Sequence, residues 1–236
     1  MAIDDLPLPV VNFLNVIGVP WPYLNEDTVW QFAGLVRDFR QAVLTTHQDA
    51  TSSLTKISQA HKAASTEAMM SGWARLSEAH VQEITDACTV LADALDAAGD
   101  YIVAQKAEAI AELIGLAAAF VADQAAAVFT LGLSEAALPL IELAAEKLVE
   151  SLEMDLQQYI AGQVIEAAVK PLLARFAAAL SGLDWSNSGA RPGKPAGFEV
   201  HPAAVHAQTA VLRGQAAAMR AHAAELAQQV RGLKFS

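Results

Sequence analysis

Histidine, cysteine and acidic side chains could do acid–base, metal or thiol chemistry, but in this 236-residue chain their spacing assembles no reactive set. His201 and His206 are five residues apart, so on one helix they would face different sides and could not share a metal ion. His47 and Asp49 are two residues apart and would also diverge on a helix. The sequence contains no phosphate-binding loop and no G-x-S-x-G or H-E-x-x-H pattern. We therefore predict a protein that is not an enzyme and holds neither metal nor cofactor.

Two of the potentially reactive side chains are predicted to be structural. Cys88 is the single cysteine, so it cannot form a disulfide within the chain, and a small buried thiol is its expected state. His80 falls on the apolar face of a predicted helix. A polar residue there fixes helix register more often than it acts as a pH switch.

The composition is typical of closely packed helices. Hydrophobic residues make up 54% of the chain and aromatic residues only 6%, and much of the remainder of the apolar set is alanine. Alanine favours helix, whereas strands are rich in β-branched and aromatic residues. The sequence therefore predicts an all-α fold.

Charge divides the chain into an acidic body and a basic tail. The net charge is -11, and residues 184–236 hold six Lys or Arg against three Asp or Glu, so the tail carries +3 and the preceding residues -14. An acidic body disfavours nucleic acid as a partner. The tail is expected either to dock on the body or an acidic partner, or to be only a solvated face.

Two apolar seams predict a long antiparallel helical hairpin extended into a bundle. The first seam recurs every seven residues, as in coiled coils, at Val29, Val36, Val43, Ala50 and Ile57. The second steps by three or four through Trp73, Leu76, His80, Ile84, Ala87, Leu91, Leu95, Ala98 and Ile102. Residues 57–76 lie between the seams and must reverse the chain.

Capping residues place the ends of the two helices. The first helix is predicted to begin after Asn25, with Glu26 and Asp27 in its first turn, and to run to about Gln59. The second should begin near Ser65 or Thr66, with a possible break at Gly99 and Asp100. Residues 1–24 contain four prolines among large apolar side chains, which predicts an extended arm packed along the bundle.

Residues 101–133 are apolar on almost every side, which invites comparison with a membrane span. Asp123 interrupts the apolar run, so burial on most sides of a bundle is the better interpretation. A helix stop is expected at Gly132 to Ser134, and kinks are expected at Pro139 and Pro171. The next helix carries a row of glutamates expected to face solvent, at Glu142, Glu146 and Glu150.

The remaining chain is read as a linker and a heptad helix. We assign 1–24 to the apolar arm, 25–183 to the helical bundle, 184–199 to a linker and 200–236 to a C-terminal helix. The last helix has a strict seven-residue repeat at Val205, Leu212, Met219, Leu226 and Leu233. Such a seam needs a facing surface, and the acidic bundle is one candidate.

A family resemblance adds to this interpretation. His61-Lys62-Ala63 occupies the position of a W-x-G turn and is followed by Ala64, Glu67-Ala68, Met69 and Trp73; the opening segment reads NFLNVIGVPWPYLNEDTVWQF. The chain resembles the WXG-like N-terminal helical domain of actinobacterial type VII (ESX) secretion substrates, many of which are polymorphic toxins. It departs from the pattern at the turn, where His61 and Ala63 replace the Trp and the Gly.

The resemblance implies a targeting domain that pairs with a small WXG-like helical-hairpin protein and is presented to the secretion ATPase. The expected partner-binding residues are Val29, Phe32, Val36, Phe39, Val43, Trp73, Val205, Leu212, Met219 and Leu226. It also implies a Y-x-x-x-D/E export signal after the second helix, but Tyr101 and Tyr159 are each followed four residues later by a glutamine. The pattern is matched instead by Tyr23 and Asp27, at the start of the first helix. Residues 200–236 would then be half of a second WXG-like hairpin.

Localisation and alternatives follow from the same features. The N-terminus has no Sec-type signal peptide, so the protein is expected to be cytoplasmic before export and then secreted or bound to the cell envelope. Any toxin or enzyme activity would belong to a region beyond Ser236. One alternative is a membrane-active channel or conduit formed by the Ala-rich helices, and another is a self-contained adaptor protein.

Overall fold

The computed structural model describes residues 6–60, 64–129, 138–174 and 202–235, and every regular element in these ranges is helical. The all-α prediction is therefore confirmed. The elements are α1 (Leu8–Ile17), α2 (Glu26–Ala60), α3 (Ala64–Phe129), α4 (Leu138–Tyr159), a π-helix (Ile160–Val169) and α5 (Pro202–Gly232).

The described residues fall into two compact units. The first comprises residues 6–31, 94–129, 138–166 and 234–235, and the second comprises residues 32–60, 64–93, 167–174 and 202–233. Helices α2 and α3 each contribute to both units.

The predicted helical hairpin is confirmed in α2 and α3. Helix α2 begins as expected, because the side chain of Asn25 accepts a hydrogen bond of 3.1 Å from the backbone N–H of Thr28. All five residues of the heptad seam on α2 are buried, and so are Ala87, Leu91, Leu95, Ala98 and Ile102 of the α3 seam. In the second unit the cross-helix contacts join Arg37 to Asp93, Arg40 to Thr85 and Thr51 to Trp73. As the residue numbers increase along α2, those of the contacting residues on α3 decrease, so the two helices are antiparallel.

The described part of the N-terminal arm is packed as predicted, but the prediction that it is extended is wrong for residues 8–17. Residues 8–17 form α1, which ends at Gly18 in the left-handed conformation with φ of 72°. Pro7 and Pro9 lie at the start of the helix, where a missing N–H costs little. Val10, Phe13 and Leu14 are buried, and the Phe13 ring lies 5.3 Å from that of Phe120.

Helix α3 continues without interruption through Gly99 and Asp100, so the predicted break is wrong. Gly99 instead allows the Trp30 side chain to pack closely against α3. A Cβ atom at this position would lie 2.7 Å from Cδ1 of Trp30 and would also collide with its Nε1. The glycine therefore lets the indole ring lie directly against the α3 backbone.

The expectation that residues 101–133 are buried on most sides is wrong for the part that is described. Only one face of this stretch of α3 is buried, at Ala109, Leu113 and Ala117. Ile114 is 46% exposed and Val121 is 64% exposed. None of the helices that the structure describes is both long and apolar enough to cross a membrane. The predicted helix stop at Gly132 to Ser134 lies outside the described residues.

Helix α4 has the predicted solvent-facing row of glutamates at Glu142, Glu146 and Glu150. Its buried face carries Ala145, Val149, Leu152 and Leu156. Pro139 lies in the first turn of α4, where the missing N–H would have no intrahelical partner. At the other end, α4 continues into the π-helix, which ends at Val169, two residues before Pro171. The predicted kink at Pro171 stays a prediction.

Helix α5 begins at Pro202, inside the segment predicted to be a C-terminal helix, and belongs to the second unit. The side chains of Thr46 on α2 and His222 on α5 are 3.2 Å apart and hydrogen-bonded. This contact agrees with the alternative in which the C-terminal helix lies on the bundle. The linker at 184–199 lies outside the described residues, and the assignment of 200–236 as half of a second hairpin stays a prediction.

Candidate interaction site

The structure divides the predicted partner-binding residues of α2 into two sets. Val29, Val36 and Val43 are 5%, 3% and 2% exposed and lie in the chain's own core. Phe32 and Phe39 are half-buried. A partner that approaches the intact hairpin could therefore reach the phenylalanines but not the valines, and the binding role of all five stays a prediction.

In the second unit, Trp73 of α3 contacts the C-terminal half of α2. Its ring stacks on that of His47, with centroids 5.5 Å apart and an interplanar angle of 11°. Its indole N–H donates to Oγ1 of Thr51 at 3.0 Å, and the Thr51 hydroxyl donates to the backbone oxygen of His47 at 2.9 Å. Burial lowers the pKa of His47, so the stacked ring is held neutral. The turn residues His61 and Ala63 lie outside the described residues.

The remaining predicted site residues are accessible to different degrees. On α5, Leu212, Met219 and Leu226 are half-buried, and the side chain of Val205 lies outside what the structure describes. Tyr23 is 62% exposed just before α2, and Asp27 is exposed in its first turn. The proposed export signal is therefore open to solvent, and its role stays a prediction.

A buried ion pair at the start of α2 was missed by the sequence analysis. Nζ of Lys106 lies 3.1 Å from Oε2 of Glu26 and donates to the backbone oxygen of Leu24 at 2.6 Å. Both charged side chains are fully buried. The pattern that could have revealed it is the buried stripe of α3, since Lys106 lies four residues after Ile102 and seven before Leu113.

The same end of α2 binds the end of the described chain. The backbone N–H of Asn25 donates to the oxygen of Phe235 at 2.9 Å, and the Thr28 hydroxyl donates to the oxygen of Lys234 at 2.8 Å. These backbone oxygens lie at the N-terminus of α2, where the helix dipole places a partial positive charge. Residues 234–235 therefore act as a strap over the first turn of α2.

Cys88 and His80 occupy structural positions. Cys88 is buried, and burial raises the pKa of its thiol to about 11, against a smaller opposing effect of the Arg40 charge. The Nδ1 atom of His80 lies 4.0 Å from Oε2 of Glu83 on the same helix. Within the described ranges, no three His, Cys, Asp or Glu side chains cluster as a metal site would require.

A cleft of ≈ 400 Å³ lies in the first unit between the segment before α2 and the C-terminal half of α4. Its lining residues are Pro20, Trp21, Pro22, Tyr23, Leu24, Glu153, Leu156, Gln157 and Ile160. Trp21 is 4% exposed, and among the described residues its buried Nε1 has no hydrogen-bond partner. The cleft thus combines a largely apolar lining with the Glu153 carboxylate.

The comparisons with known proteins agree with this architecture. The family model described as the WXG100 like domain matches residues 5–147, which take in α1, α2, α3 and the start of α4. No curated protein and no solved structure matches the chain. The matched residues are more than half of the chain, and they include the antiparallel hairpin predicted from the two seams. The chain belongs to the WXG100-like family of helical domains, which is related to type VII secretion and whose members are typically not enzymes.

Proposed function

We propose that this chain is the non-catalytic targeting domain of a type VII secretion substrate, which pairs with a small WXG-like helical-hairpin protein for export. The observation that carries this proposal is the WXG100-like match over residues 5–147, on a chain whose α2 and α3 form one long antiparallel hairpin. Helical hairpins of this kind present long faces on which a second hairpin can pack.

The half-buried side chains beside the core seam are the best candidates for the pairing face. Phe39 of α2 is one turn from the buried Val36 and Val43, so it extends the apolar core toward the surface. Aromatic residues at the edge of a core contribute strongly to interfaces because they bury a large area with few rotatable bonds. We place the partner along this edge, with Phe32 on the same side of the helix.

Export would follow from the paired state. The secretion ATPase would receive the two hairpins together, and the accessible Tyr23 and Asp27 would serve as the export signal. The domain itself would do no chemistry. The secreted protein would reach the medium or the cell envelope.

An export assay tests this proposal. The tagged chain and its small hairpin partner are expressed in a strain with the type VII apparatus and in one without it. We expect the chain in the culture filtrate of the first strain alone. Equal release from both strains would contradict the proposal and favour a self-contained adaptor.

The export signal is tested separately by Tyr23→Ala. We expect this change to reduce export while leaving the complex with the partner intact. Val16→Ala is the matched control, because Val16 is 68% exposed and its truncation also removes a large exposed side chain of the first unit. Undiminished export of Tyr23→Ala would reject Tyr23 as part of the signal without affecting the pairing proposal.

A further inference from the structure

In the second unit, helix α5 lies on the side of α2 that is assigned to the partner. Nε2 of His222 on α5 is 3.2 Å from Oγ1 of Thr46 on α2, and the two side chains are hydrogen-bonded. Thr46 follows Phe39 by seven residues and Phe32 by fourteen, and residues at this spacing lie on nearly the same side of an α-helix. Thr46 is 6% exposed. Helix α5 therefore covers a continuation of the row of side chains formed by Phe32 and Phe39.

The packing of α5 in this unit is shallow. Among the side chains of α5 that the structure describes, none is buried, whereas Val36 and Val43 of α2 are 3% and 2% exposed. Elements with few buried apolar contacts open locally at a lower free energy than the core of a protein. Helix α5 is thus suited to leave α2 while the hairpin stays folded.

The face of α5 that packs is only partly apolar. Its half-buried side chains include two rows that each repeat every seven residues, an apolar row at Leu212, Met219 and Leu226 and a polar row at Gln208, Gln215 and His222. A polar side chain in a helical seam fixes the register of the contact at a cost in stability. The contact of α5 is therefore specific in register but weak for the length of the helix.

We propose that α5 occupies, in the free chain, the surface of α2 on which the partner hairpin packs, and that pairing displaces α5. The occupant that replaces it is a helix with apolar residues in both rows of its seam, because such a helix buries more apolar area than α5 does. The inference rests on the proposed pairing along the edge of Phe32 and Phe39. It adds that the chain itself competes with the partner for this edge.

The surface can lose His222 without leaving a buried hydroxyl unpaired. The hydroxyls of Thr45 and Thr51 on α2 each donate to the backbone oxygen four residues earlier, at 3.0 Å and 2.9 Å. Thr46 can form the same bond, because threonine within a helix can turn its hydroxyl to that oxygen. An apolar side chain of the partner can then pack over Thr46 with all hydrogen bonds satisfied.

Hydrogen exchange measured by mass spectrometry tests the displacement directly. The full chain is compared alone and in complex with the small helical-hairpin protein encoded beside its gene. We expect the backbone amides of α5 to exchange about tenfold faster in the complex, because the released helix loses its supporting surface. The amides of α2 around Phe39 should exchange more slowly, because the partner covers them.

Two variants of α5 should change the affinity for the partner in opposite directions. Gln215→Leu makes the polar row more apolar and should weaken partner binding by about threefold or more, because α5 then holds its surface more firmly. Leu226→Glu loosens α5 and should strengthen partner binding by a similar factor. Neither residue lies on the surface of α2 that the partner contacts.

Each variant has a matched control at an exposed position of α5. Gln228→Leu makes the same substitution as Gln215→Leu, but Gln228 is exposed. Val211→Glu replaces an aliphatic side chain by glutamate as Leu226→Glu does, but Val211 is 42% exposed. Both controls should leave the affinity for the partner unchanged.

The outcomes separate this inference from the pairing on which it rests. A complex in which the α5 amides exchange no faster than in the free chain would overturn the displacement and leave the pairing intact. Weaker binding of Leu226→Glu would do the same, since α5 would then be part of the partner's surface. If neither the native chain nor Leu226→Glu forms a complex with any neighbouring hairpin protein, the pairing itself is contradicted and the inference falls with it.

Discussion

The Glu26 and Lys106 side chains form a fully buried ion pair. Their charges are 3.1 Å apart, and Lys106 also donates to the backbone oxygen of Leu24. A buried pair of this kind does not by itself imply high stability, because both ions have lost their water. Removing one partner is far more costly, since the other charge then remains buried without its ion-pair partner.

We therefore predict that Lys106→Met lowers the free energy of unfolding by about 3–5 kcal/mol. Urea unfolding followed by circular dichroism at 222 nm would measure the change. The double variant Glu26→Gln/Lys106→Met is the control, and it should recover a large part of the loss because no charge is left unpaired. A loss of less than about 1 kcal/mol in Lys106→Met would show that Glu26 finds another partner or water.

His47 should make the stability of the hairpin depend on pH. Burial lowers its pKa below the usual 6.5, so the folded chain resists protonation while the unfolded chain accepts a proton. As the pH falls below about 6.5, the free energy of unfolding should decrease, and the decrease should end at the pKa of the folded state. Above that range the contribution of His47 is fully present.

The comparison of the native chain with His47→Gln between about pH 7.5 and pH 5.5 tests this prediction. We expect the native chain to lose more stability on acidification than the variant, whatever their difference at neutral pH. Parallel curves would mean that burial does not lower the pKa of His47 enough to affect stability.

At the scale of the helices, the contact of Gly99 with Trp30 is the tightest constraint on α3. A Cβ atom at Gly99 would lie 2.7 Å from two atoms of a large, rigid ring, so the ring or the helix must shift. We predict that Gly99→Ala destabilises the chain by about 1–3 kcal/mol despite the better helix propensity of alanine.

Gly72→Ala provides the matched control for this change. Gly72 also lies within α3, but a Cβ atom there would meet no other atom within 4 Å. Alanine at this position should be neutral or stabilise by up to about 1 kcal/mol. Thermal unfolding of the two variants side by side would measure the contrast, and equal effects would show that Trp30 moves aside at little cost.

The comparison of these helices with the sequence shows which features periodicity can predict. The heptad of α2 and the stepping of α3 follow from burial of one face, so both helices and their antiparallel pairing were predictable. The role of Gly99 was not, because a glycine within a helical pattern looks the same whether it ends the helix or admits a neighbouring ring. Pro7 and Pro9 likewise suggest an extended chain, although both are compatible with the first turn of α1.

The candidate sites were less predictable than the fold because they depend on contacts between residues that are far apart in the sequence. The heptad spacing predicted that Val29, Val36 and Val43 share one apolar face of α2, but only the structure shows that the chain itself buries them. The cleft likewise joins residues 20–24 to α4, across more than a hundred residues of intervening chain. A lysine on an apolar stripe was the one visible indication of the buried pair.

At the scale of the whole molecule, the C-terminal part of the chain contributes to both compact units. The strap at residues 234–235 binds the first turn of α2, and α5 contacts α2 through His222. The sequence-based expectation that the basic tail docks on the acidic body agrees with these contacts. A partner would therefore meet a hairpin whose core seam is already covered and would bind along its edges.

The most direct measurement is co-expression of this chain with the small helical-hairpin proteins encoded beside its gene, followed by size-exclusion chromatography with light scattering. We predict a one-to-one complex that Phe39→Glu weakens, whereas Gln48→Glu, which adds the same charge at an exposed position of α2, leaves it intact. Circular dichroism spectra would verify that both variants remain folded. A monodisperse monomer in the presence of every neighbouring hairpin protein would contradict the account of this chain as a partner-dependent targeting domain.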